Sequence, residues 1–368
     1  MFDIALDLHK ENTYGVVLDD KSGEVVWEGS FASTFRAAKE TLEPYFVHGT
    51  KIAIEATSCF YPMHDGLKSI KEIEVSVVNT VKLEKPAVKT DRRDALRIAH
   101  LLRRNELPIA YIPENKLRLQ RDLCSLRVRL VHSCTQCKNR ISSILHKEGR
   151  RVIGVKDTFS QKGLKQLDEM KKYISRKEEL EEELDLLKIF QKKQARIEKQ
   201  IDEAIEKDNE LNKTVELIDS IPGFAKTLAF VCATELNPIG RFKDAQSVAA
   251  YAGLYPCIDS SGGRMKHGKI RKVGRKLLRW ALIEGAHCAG RTKSSIGNYY
   301  HKKAKQKKSN HAAAVATANK LAKLIYNILT KKESYNPGME QQVQSSNPPC
   351  LLKAFVQNGR LLTPQNVL

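Results

Sequence analysis

Short apolar runs, separated by polar stretches, open the chain and predict β-strands. The segments DIALDLH, TYGVVLD and EVVWEGSF are rich in β-branched and apolar residues, and the polar stretches KEN and DKSGE divide them. Runs of this length with such short connections are typical of hairpins. The pattern predicts a meander of three antiparallel strands at the start of the chain.

Helices and strands then alternate. STFRAAKETLEPYF predicts a helix that begins at Ser33 or Thr34 and ends near Pro44. Strand TKIAIEA, helix YPMHDGLKSI, strand EVSVVN and helix KTDRRDALRIAHLL follow it. Three hairpin strands followed by alternating helices and strands is the order of a ribonuclease H-like domain. We therefore predict an α/β domain of this class at residues 1–112.

The middle of the chain, from Glu114 to about Leu217, has the pattern of long helices. The segment from Arg176 to Leu211 contains no Gly or Pro and repeats apolar residues at roughly heptad spacing. This predicts a coiled-coil arm or helical hairpin at residues 113–214, which favours a homo-oligomer, either a dimer or a tetramer. The alternative is one solvated helix packed on its own domain. The heptad positions are Leu180, Leu184, Leu187, Phe190, Ile197, Ile201 and Ile205.

A second globular segment, mainly helical, is predicted at residues 215–331. SIPGFAKTLA opens it, and the pair Pro222–Gly223 indicates a turn or, as an alternative, a helix-hairpin-helix contact with a DNA backbone. The stretch SVAAYAGLYP predicts an apolar helix, and CIDSSGGRMKHGKI predicts a polar, glycine-rich loop. The polar, proline-bearing residues 332–368 predict a flexible tail.

The positive net charge of the chain indicates what kind of partner it binds. The 63 Lys and Arg residues exceed the 43 Asp and Glu residues by 20, and such an excess favours nucleic acid, because each neutralised phosphate releases counterions. Between Arg264 and Lys308 the one acidic residue is Glu284, a pattern typical of phosphate binding. The residues that we expect to contact nucleic acid are Arg264, Lys266, Lys269, Arg271, Lys272, Arg275, Lys276 and Arg279.

The sequence does not have the features of a membrane protein, a secreted protein or a disulfide-rich protein. No apolar run approaches the roughly 20 residues that span a bilayer, and MFDIALDLHK has acids where a signal peptide has a basic and then an apolar segment. The 8 cysteines are scattered rather than dense, which favours reduced thiols. We expect a soluble, cytoplasmic protein with no membrane partner.

Four carboxylates predict the chemistry. Asp7 stands inside the first strand, where a carboxylate is avoided unless it is paired or bound to metal. Glu55 ends a strand, and Asp91 and Asp94 open the last helix of the α/β domain on one face. Those two alone have an ordinary explanation, since acids at a helix N-terminus complement its dipole. All four together predict a site for two Mg²⁺ ions that activate one oxygen and stabilise another during phosphodiester chemistry.

Two sets of motifs carry a family resemblance. ALDLHK, IEATSCFYP, VVNTVKLEK and KTDRRDALRIAHLL resemble the N-terminal domain of the Piv/MooV-type insertion-sequence transposases, DEDD recombinases that include bridge-RNA-guided elements. LIDSIPGFAKTLAFVCATEL, RFKDAQSVAAYAGLYP and SSGGRMKHGKIRKVGRKLLRWAL resemble the second domain of the same family. The resemblance covers roughly Asp3 to Leu329 and lacks clear motifs only in the helical middle.

The resemblance implies a fold, a site and partners. The N-terminal domain should be RuvC-like, and the second domain should supply a serine that links covalently to DNA. That serine is Ser260 or Ser261, and we favour Ser261 because it directly precedes Gly262. Donor DNA, target DNA and a bridge RNA are the implied partners, in the nucleoid of a prokaryotic cell. The implied catalytic acids are Asp7, Glu55, Asp91 and Asp94.

Three further functions compete with an insertion-sequence recombinase. One is a RuvC-like, metal-dependent nuclease that uses water, for which the serine loop is only structural. Another is a Piv-like DNA invertase, which would have much the same motifs. The last is a non-catalytic protein that binds RNA or DNA and acts only through the basic helix and the coiled coil.

Overall fold

The chain folds into two compact units. They are Met1–Glu114 and Asn115–Leu368. The residues that the computed structural model describes are 1–83, 90–261, 264–270 and 273–339, with the backbone alone at 256–261 and 264–269.

The first unit contains a five-stranded mixed sheet in the order β3-β2-β1-β4-β5. β1 pairs antiparallel with β2 and β2 with β3, whereas β1 with β4 and β4 with β5 are parallel. The predicted meander and the α/β class are confirmed. The strands are β1 (Phe2–Leu8), β2 (Asn12–Asp19), β3 (Val25–Ala32), β4 (Thr50–Glu55) and β5 (Ile73–Val78).

Helices cover both faces of this sheet. Side chains alternate along β1, so Ile4 and Leu6 pack in a core with α1 and α2, while Ala5 packs on the opposite face with α3. By the same alternation, Asp3 and Asp7 lie on the face of α3. The helices are α1 (Phe35–Leu42), followed by a 3-10 turn (Glu43–Tyr45), α2 (Phe60–Lys68) and α3 (Asp91–Arg103).

The second unit is mainly helical. Its centre contains α8, whose last eight residues, 229–236, are all buried, as expected for a helix surrounded by others. The helices are α4 (Asn115–Lys147), α5 (Gln161–Met170), α6 (Lys177–Glu206), α7 (Asn209–Asp219), α8 (Lys226–Leu236), a 3-10 turn (Ile239–Arg241), α9 (Ala245–Tyr251), α10 (Lys276–Ala289), α11 (Ser295–Lys307) and α12 (Asn310–Lys331).

The heptad positions of α6 are buried by a helix of the same chain. Leu180, Leu184 and Leu187 share a core with Cys137 and Ile141 of α4. Because this packing already buries that part of the seam, α6 does not need a second chain to cover it. A coiled-coil arm that joins two chains stays a prediction.

A strand pair occupies the segment for which the sequence predicted a glycine-rich loop. β6 (Pro256–Ser261) and β7 (Arg264–Ile270) pair antiparallel. The prediction of a loop was wrong here because Ser, Gly and Lys have low β-propensity, and backbone pairing overrides such weak local preferences. Among the described helices, none is long and apolar enough to cross a membrane.

Candidate active site

Asp7 lies on the central strand of the sheet with its carboxylate buried. β2 and β4 flank β1, and Asp7 is 1% exposed. Burial raises the pKa of Asp7 to about 7, and the neighbouring Glu55 carboxylate contributes to the increase. Asp7 Oδ2 has no hydrogen-bond partner among the described residues. The protein therefore offsets little of the cost of charging this buried acid.

Glu55 brings a second carboxylate to the same place. It is the last residue of β4, and the parallel register sets Leu6 of β1 opposite Ile54 of β4. Asp7 and Glu55 thus follow on neighbouring strands, and their carboxyl groups are close enough to share a hydrogen bond. Two carboxylates in one place favour a shared proton or a bound cation.

The start of α3 supplies the other two predicted acids. Thr90 Oγ1 accepts a hydrogen bond from the Arg93 N–H at 3.3 Å, which fixes the beginning of the helix. Asp91 and Asp94 both lie in the first turn. The Asp91 side chain is 57% exposed, whereas Asp94 Oδ2 is buried and has no hydrogen-bond partner among the described residues.

His9 lies between two of these acids, although it is not among the site residues predicted from the sequence. Its Nε2 atom is 3.6 Å from Asp7 Oδ2 and 3.4 Å from Asp91 Oδ1. One ligand atom from each of the three residues lies within 4.8 Å of the others. The motif ALDLHK contained the signal, a histidine two residues after Asp7, but a polar residue just after a strand is ordinary.

The acids fit a hard divalent cation. Buried carboxylate oxygens without partners, as at Asp7 and Asp94, carry a desolvation cost that a cation offsets. Carboxylate oxygens are also the ligands that Mg²⁺ prefers. The ends of β1 and β4 and the start of α3 are therefore suited to hold a metal ion.

The predicted serine nucleophile lies in the second unit, on the strand pair β6–β7. The register sets Ser260 opposite Met265 and Ser261 opposite Arg264. The other predicted phosphate-binding residues of this part are Lys266 and Lys269, on β7, and Arg271 and Lys272, which lie outside the described residues.

Arg275 and Arg279, also predicted to bind phosphate, contact groups of the protein. Arg275 donates hydrogen bonds to both carboxylate oxygens of Glu235, at 2.7 and 2.8 Å, and Glu235 is 0% exposed. Arg279 donates to the Ala252 carbonyl at 3.0 Å. Lys276, between them, is exposed. No local sequence signal indicates this ion pair, because Glu235 and Arg275 are 40 residues apart in the chain.

A further basic surface lies on α11. The chain between Glu284 and Glu333 contains no acidic residue. The α11 lysine surface comprises Lys302, Lys305 and Lys307, all exposed. With no nearby carboxylate in sequence to neutralise them, these lysines give the helix a positive potential that favours phosphate groups.

Two family models match the chain, in order. A model for IS110-type DEDD transposases matches residues 4–148, which include the four acids. A second model, described as the transposase IS116/IS110/IS902 family, matches residues 215–301, which include the strand pair β6–β7 and α10. These are the two parts in which the motifs were recognised.

Individual transposases are similar over most of the chain. A candidate transposase of Sinorhizobium fredii, y4qE, is 27% identical over 77% of this chain and 70% of its own length. A candidate family 20 transposase of Pseudomonas aeruginosa is 27% identical over 69% of this chain and 77% of its own. The transposase for insertion sequence element IS1111A of Coxiella burnetii is 28% identical, over 69% and 71%.

The fold and the family matches together define a DEDD transposase, a class of enzyme that cuts and rejoins DNA. The chain belongs to the IS110-type family of these transposases. The resemblance stated from the motifs is confirmed.

Proposed function

We propose that this protein moves an insertion sequence by cutting and rejoining DNA with four metal-binding acids and a serine nucleophile. The observation that carries the proposal is the buried Asp7 carboxylate, which lacks a hydrogen-bond partner at Oδ2 and lies beside Glu55 and within 3.6 Å of His9. A structural acid at such a position would be paired or replaced by an apolar residue. The family matches support the cutting and rejoining of DNA.

In this proposal the four acids hold Mg²⁺, with two ions in the site. Bound Mg²⁺ supplies positive charge that activates an attacking oxygen and stabilises a leaving one. Asp7 and Glu55 would bind from the sheet, and Asp91 and Asp94 from the first turn of α3. The rigid sheet fixes the first pair, and the capped helix start fixes the second.

The proposed nucleophile is Ser261, with Ser260 as the alternative. Its hydroxyl oxygen forms a bond to phosphorus while the bond from phosphorus to one deoxyribose oxygen breaks. The serine proton passes to a base, and the departing oxygen takes up a proton. A hydroxyl of another DNA end then attacks the same phosphorus and releases the serine, so the number of phosphodiester bonds is unchanged. The α11 lysine surface would bind phosphates, and so would the predicted basic residues other than Arg275 and Arg279, which contact groups of the protein. Those residues are Arg264, Lys266, Lys269, Arg271, Lys272 and Lys276.

The proposed partners are donor DNA, target DNA and a bridge RNA. Base pairing with the RNA would carry specificity, while the protein reads shape and backbone. A dimer or tetramer would bring a catalytic domain at residues 1–112 and a serine-bearing domain at 215–331 to the DNA, joined by a dimerisation region at 113–214. On α6, Leu186 and Ile189 are 37% and 48% exposed, which favours such self-association. Most of the proposed tail, 332–368, lies outside the described residues.

The proposal is tested by a recombination assay with purified protein, Mg²⁺, donor DNA and target DNA. RNA transcribed from the noncoding ends of the element is added or omitted, and denaturing gels are inspected for a protein–DNA adduct. We expect an RNA-dependent recombinant and an adduct that Ser261→Ala abolishes. Asp91→Asn should abolish all cleavage while DNA binding persists.

The same assay separates the alternatives. Cleavage that survives Ser261→Ala and Ser260→Ala, with no adduct, would indicate a nuclease that uses water. DNA binding without any cleavage by the unaltered chain would indicate a binding protein. Inversion of a segment between two sites, with no insertion elsewhere, would indicate an invertase.

A further inference from the structure

His9 places an imidazole nitrogen between two of the acids. Its Nε2 atom is 3.4 Å from Asp91 Oδ1 and 3.6 Å from Asp7 Oδ2. Neighbouring ligands of an octahedral ion with bonds of about 2.1 Å lie about 3 Å apart, so these separations approach those of atoms bound to one ion. Asp7 Oδ2 is buried and has no hydrogen-bond partner among the described residues, which leaves it available to a cation.

The fold holds the His9 backbone in a fixed position. Its N–H donates to the Asn12 carbonyl at 3.1 Å, which closes the turn between β1 and β2. Its carbonyl accepts a hydrogen bond from Ser33 Oγ at 2.7 Å. Ser33 Oγ in turn lies 2.9 Å from Oγ1 of the buried Thr13. These contacts hold the turn against the end of β3 and therefore fix the backbone position from which the His9 side chain extends.

The surroundings of His9 leave room for an ion and its waters. The His9 side chain is 49% exposed. An open depression of about 460 Å³ adjoins it, and the lining includes His9, Asn12, Tyr14, Ser30 and Asp91. A ligand at the open side of a buried acid can bind a metal while the remaining positions stay accessible to water or to a phosphate.

We propose that His9 is a ligand of the metal site and that its nitrogen makes the site prefer Mn²⁺ over Mg²⁺. The proposal rests on the proposed function, since it requires that the acids bind metal. Mg²⁺ takes oxygen ligands almost exclusively, whereas transition metals accept imidazole nitrogen. A site with Asp7, His9 and Asp91 as donors is therefore mixed in nitrogen and oxygen. The carboxylates alone would not distinguish the two ions in this way.

The test measures Mn²⁺ and Mg²⁺ binding to the full chain, without DNA. Equilibrium dialysis gives the affinities, and pulsed electron paramagnetic resonance of bound Mn²⁺ detects a coordinated imidazole nitrogen. Four variants are compared with the unaltered chain, and thermal unfolding in metal-free buffer checks that each is folded. They are His9→Ala, His9→Asp, Asp7→Asn and the matched control His48→Ala, which removes an exposed histidine of the same unit.

We expect the nitrogen coupling in the unaltered chain and in His48→Ala, and its loss in His9→Ala. Mn²⁺ affinity should fall about tenfold or more in His9→Ala, and Mg²⁺ affinity should fall less. His9→Asp should recover metal affinity relative to His9→Ala but should not restore the nitrogen coupling. The Asp side chain supplies a carboxylate oxygen where His9 supplies an imidazole nitrogen.

Two results would overturn the proposal, and they differ in what they leave standing. If Mn²⁺ binds and Asp7→Asn weakens it, but no nitrogen coupling is seen and His9→Ala has no effect, His9 is not a ligand and the acid site remains. If Asp7→Asn leaves binding of both ions unchanged, Asp7 is not a ligand, and the proposed function loses the observation that carries it together with the role of His9.

Discussion

The guanidinium of Arg275 contacts both carboxylate oxygens of Glu235, a residue that is 0% exposed. The Glu235 backbone carbonyl also accepts hydrogen bonds from Arg121 at 3.0 Å and from Arg241 at 2.8 Å. The end of α8 is therefore tied to α4, to the turn after α8 and to the start of α10. Because Arg275 directly precedes α10, the pair fixes the start of that helix against the end of α8.

Removing one partner of this pair should destabilise the protein. Arg275→Ala leaves the buried Glu235 carboxylate without its strongest contact, and we expect the free energy of unfolding to fall by about 3 kcal/mol in urea titrations. Glu235→Gln should lower the free energy of unfolding less, because it removes the buried negative charge together with the ion pair. The matched control is Arg291→Ala, at an exposed arginine. If Arg275→Ala and Arg291→Ala changed stability equally, the ion pair would contribute nothing.

Gly223 should be irreplaceable for a structural reason. Its φ is +97°, and a Cβ added there would come within 2.6 Å of the Gly285 carbonyl oxygen and would also meet the Ala289 backbone nitrogen, both in α10. We expect Gly223→Ala to lower the free energy of unfolding by about 3 kcal/mol. Gly240→Ala is the matched control, because a Cβ at Gly240 meets no atom within 4 Å.

This pair of variants also tests the helix-hairpin-helix alternative for Pro222–Gly223. If Gly223 serves to bring the backbone close to a DNA phosphate, Gly223→Ala would weaken DNA binding while stability stays unchanged. If it serves to let the turn approach α10, stability falls first. Urea titrations and DNA binding at constant salt, both on the full chain, separate the two roles.

The spacing of apolar residues and the residue composition were sufficient to predict the strands and helices of the first unit. Alternation along β1 and the 3.6-residue period of α3 depend on local sequence, so the sheet and its covering helices could be predicted from the residues. Asp7 was informative because a carboxylate in a strand interior is costly. His9 was not informative in the sequence, because its place in the site depends on Asp91. A helix some eighty residues later brings Asp91 to within 3.4 Å of it.

The second unit was harder to predict. The heptad pattern of α6 specified an apolar seam but not the helix that buries it, because a helix of the same chain and a helix of another chain present the same surface. The strand pair β6–β7 consists of residues with weak β-propensity. Glu235 and Arg275 are 40 residues apart, and no local rule links an acid in an apolar helix to a particular arginine.

Asp3 should make stability depend on pH. Burial, and then the nearby Asp20 carboxylate, raise the pKa of Asp3 from 3.8 to about 6 in the folded chain. Between those pH values the folded chain holds more protons than the unfolded one, so the free energy of unfolding falls as pH rises and the loss is complete above about pH 6. Asp3→Asn should therefore stabilise the protein by about 1 to 3 kcal/mol at pH 7.

The measurement for Asp3 is a pair of urea titrations at about pH 4.5 and pH 7 on the unaltered chain and on Asp3→Asn. The difference in the free energy of unfolding between Asp3→Asn and the unaltered chain should be small at the lower pH and larger at the higher one. Glu74→Gln, at an exposed acid of the same sheet, should give a small difference at both. An equal effect of Asp3→Asn at the two pH values would contradict the raised pKa.

The α11 lysine surface should contribute non-specific affinity for nucleic acid. Changing Lys302, Lys305 and Lys307 together to Gln removes three positive charges from a region whose sequence contains no acid between Glu284 and Glu333. If each lysine contacts one phosphate, affinity for duplex DNA should fall. The slope of log affinity against log salt should then decrease in magnitude by roughly 2 to 3, since each contact contributes about 0.9.

The matched control for this surface changes three exposed lysines of α6 to Gln. Lys192, Lys193 and Lys199 lie on a helix that also carries many acids, so the change in net charge is identical while the local potential differs. We expect the control to retain both the affinity and the salt slope of the unaltered chain. If the two triple variants weaken binding equally, net charge alone sets the affinity and α11 is no particular contact surface. If only the α11 variant lowers the slope, the nucleic acid passes along α11.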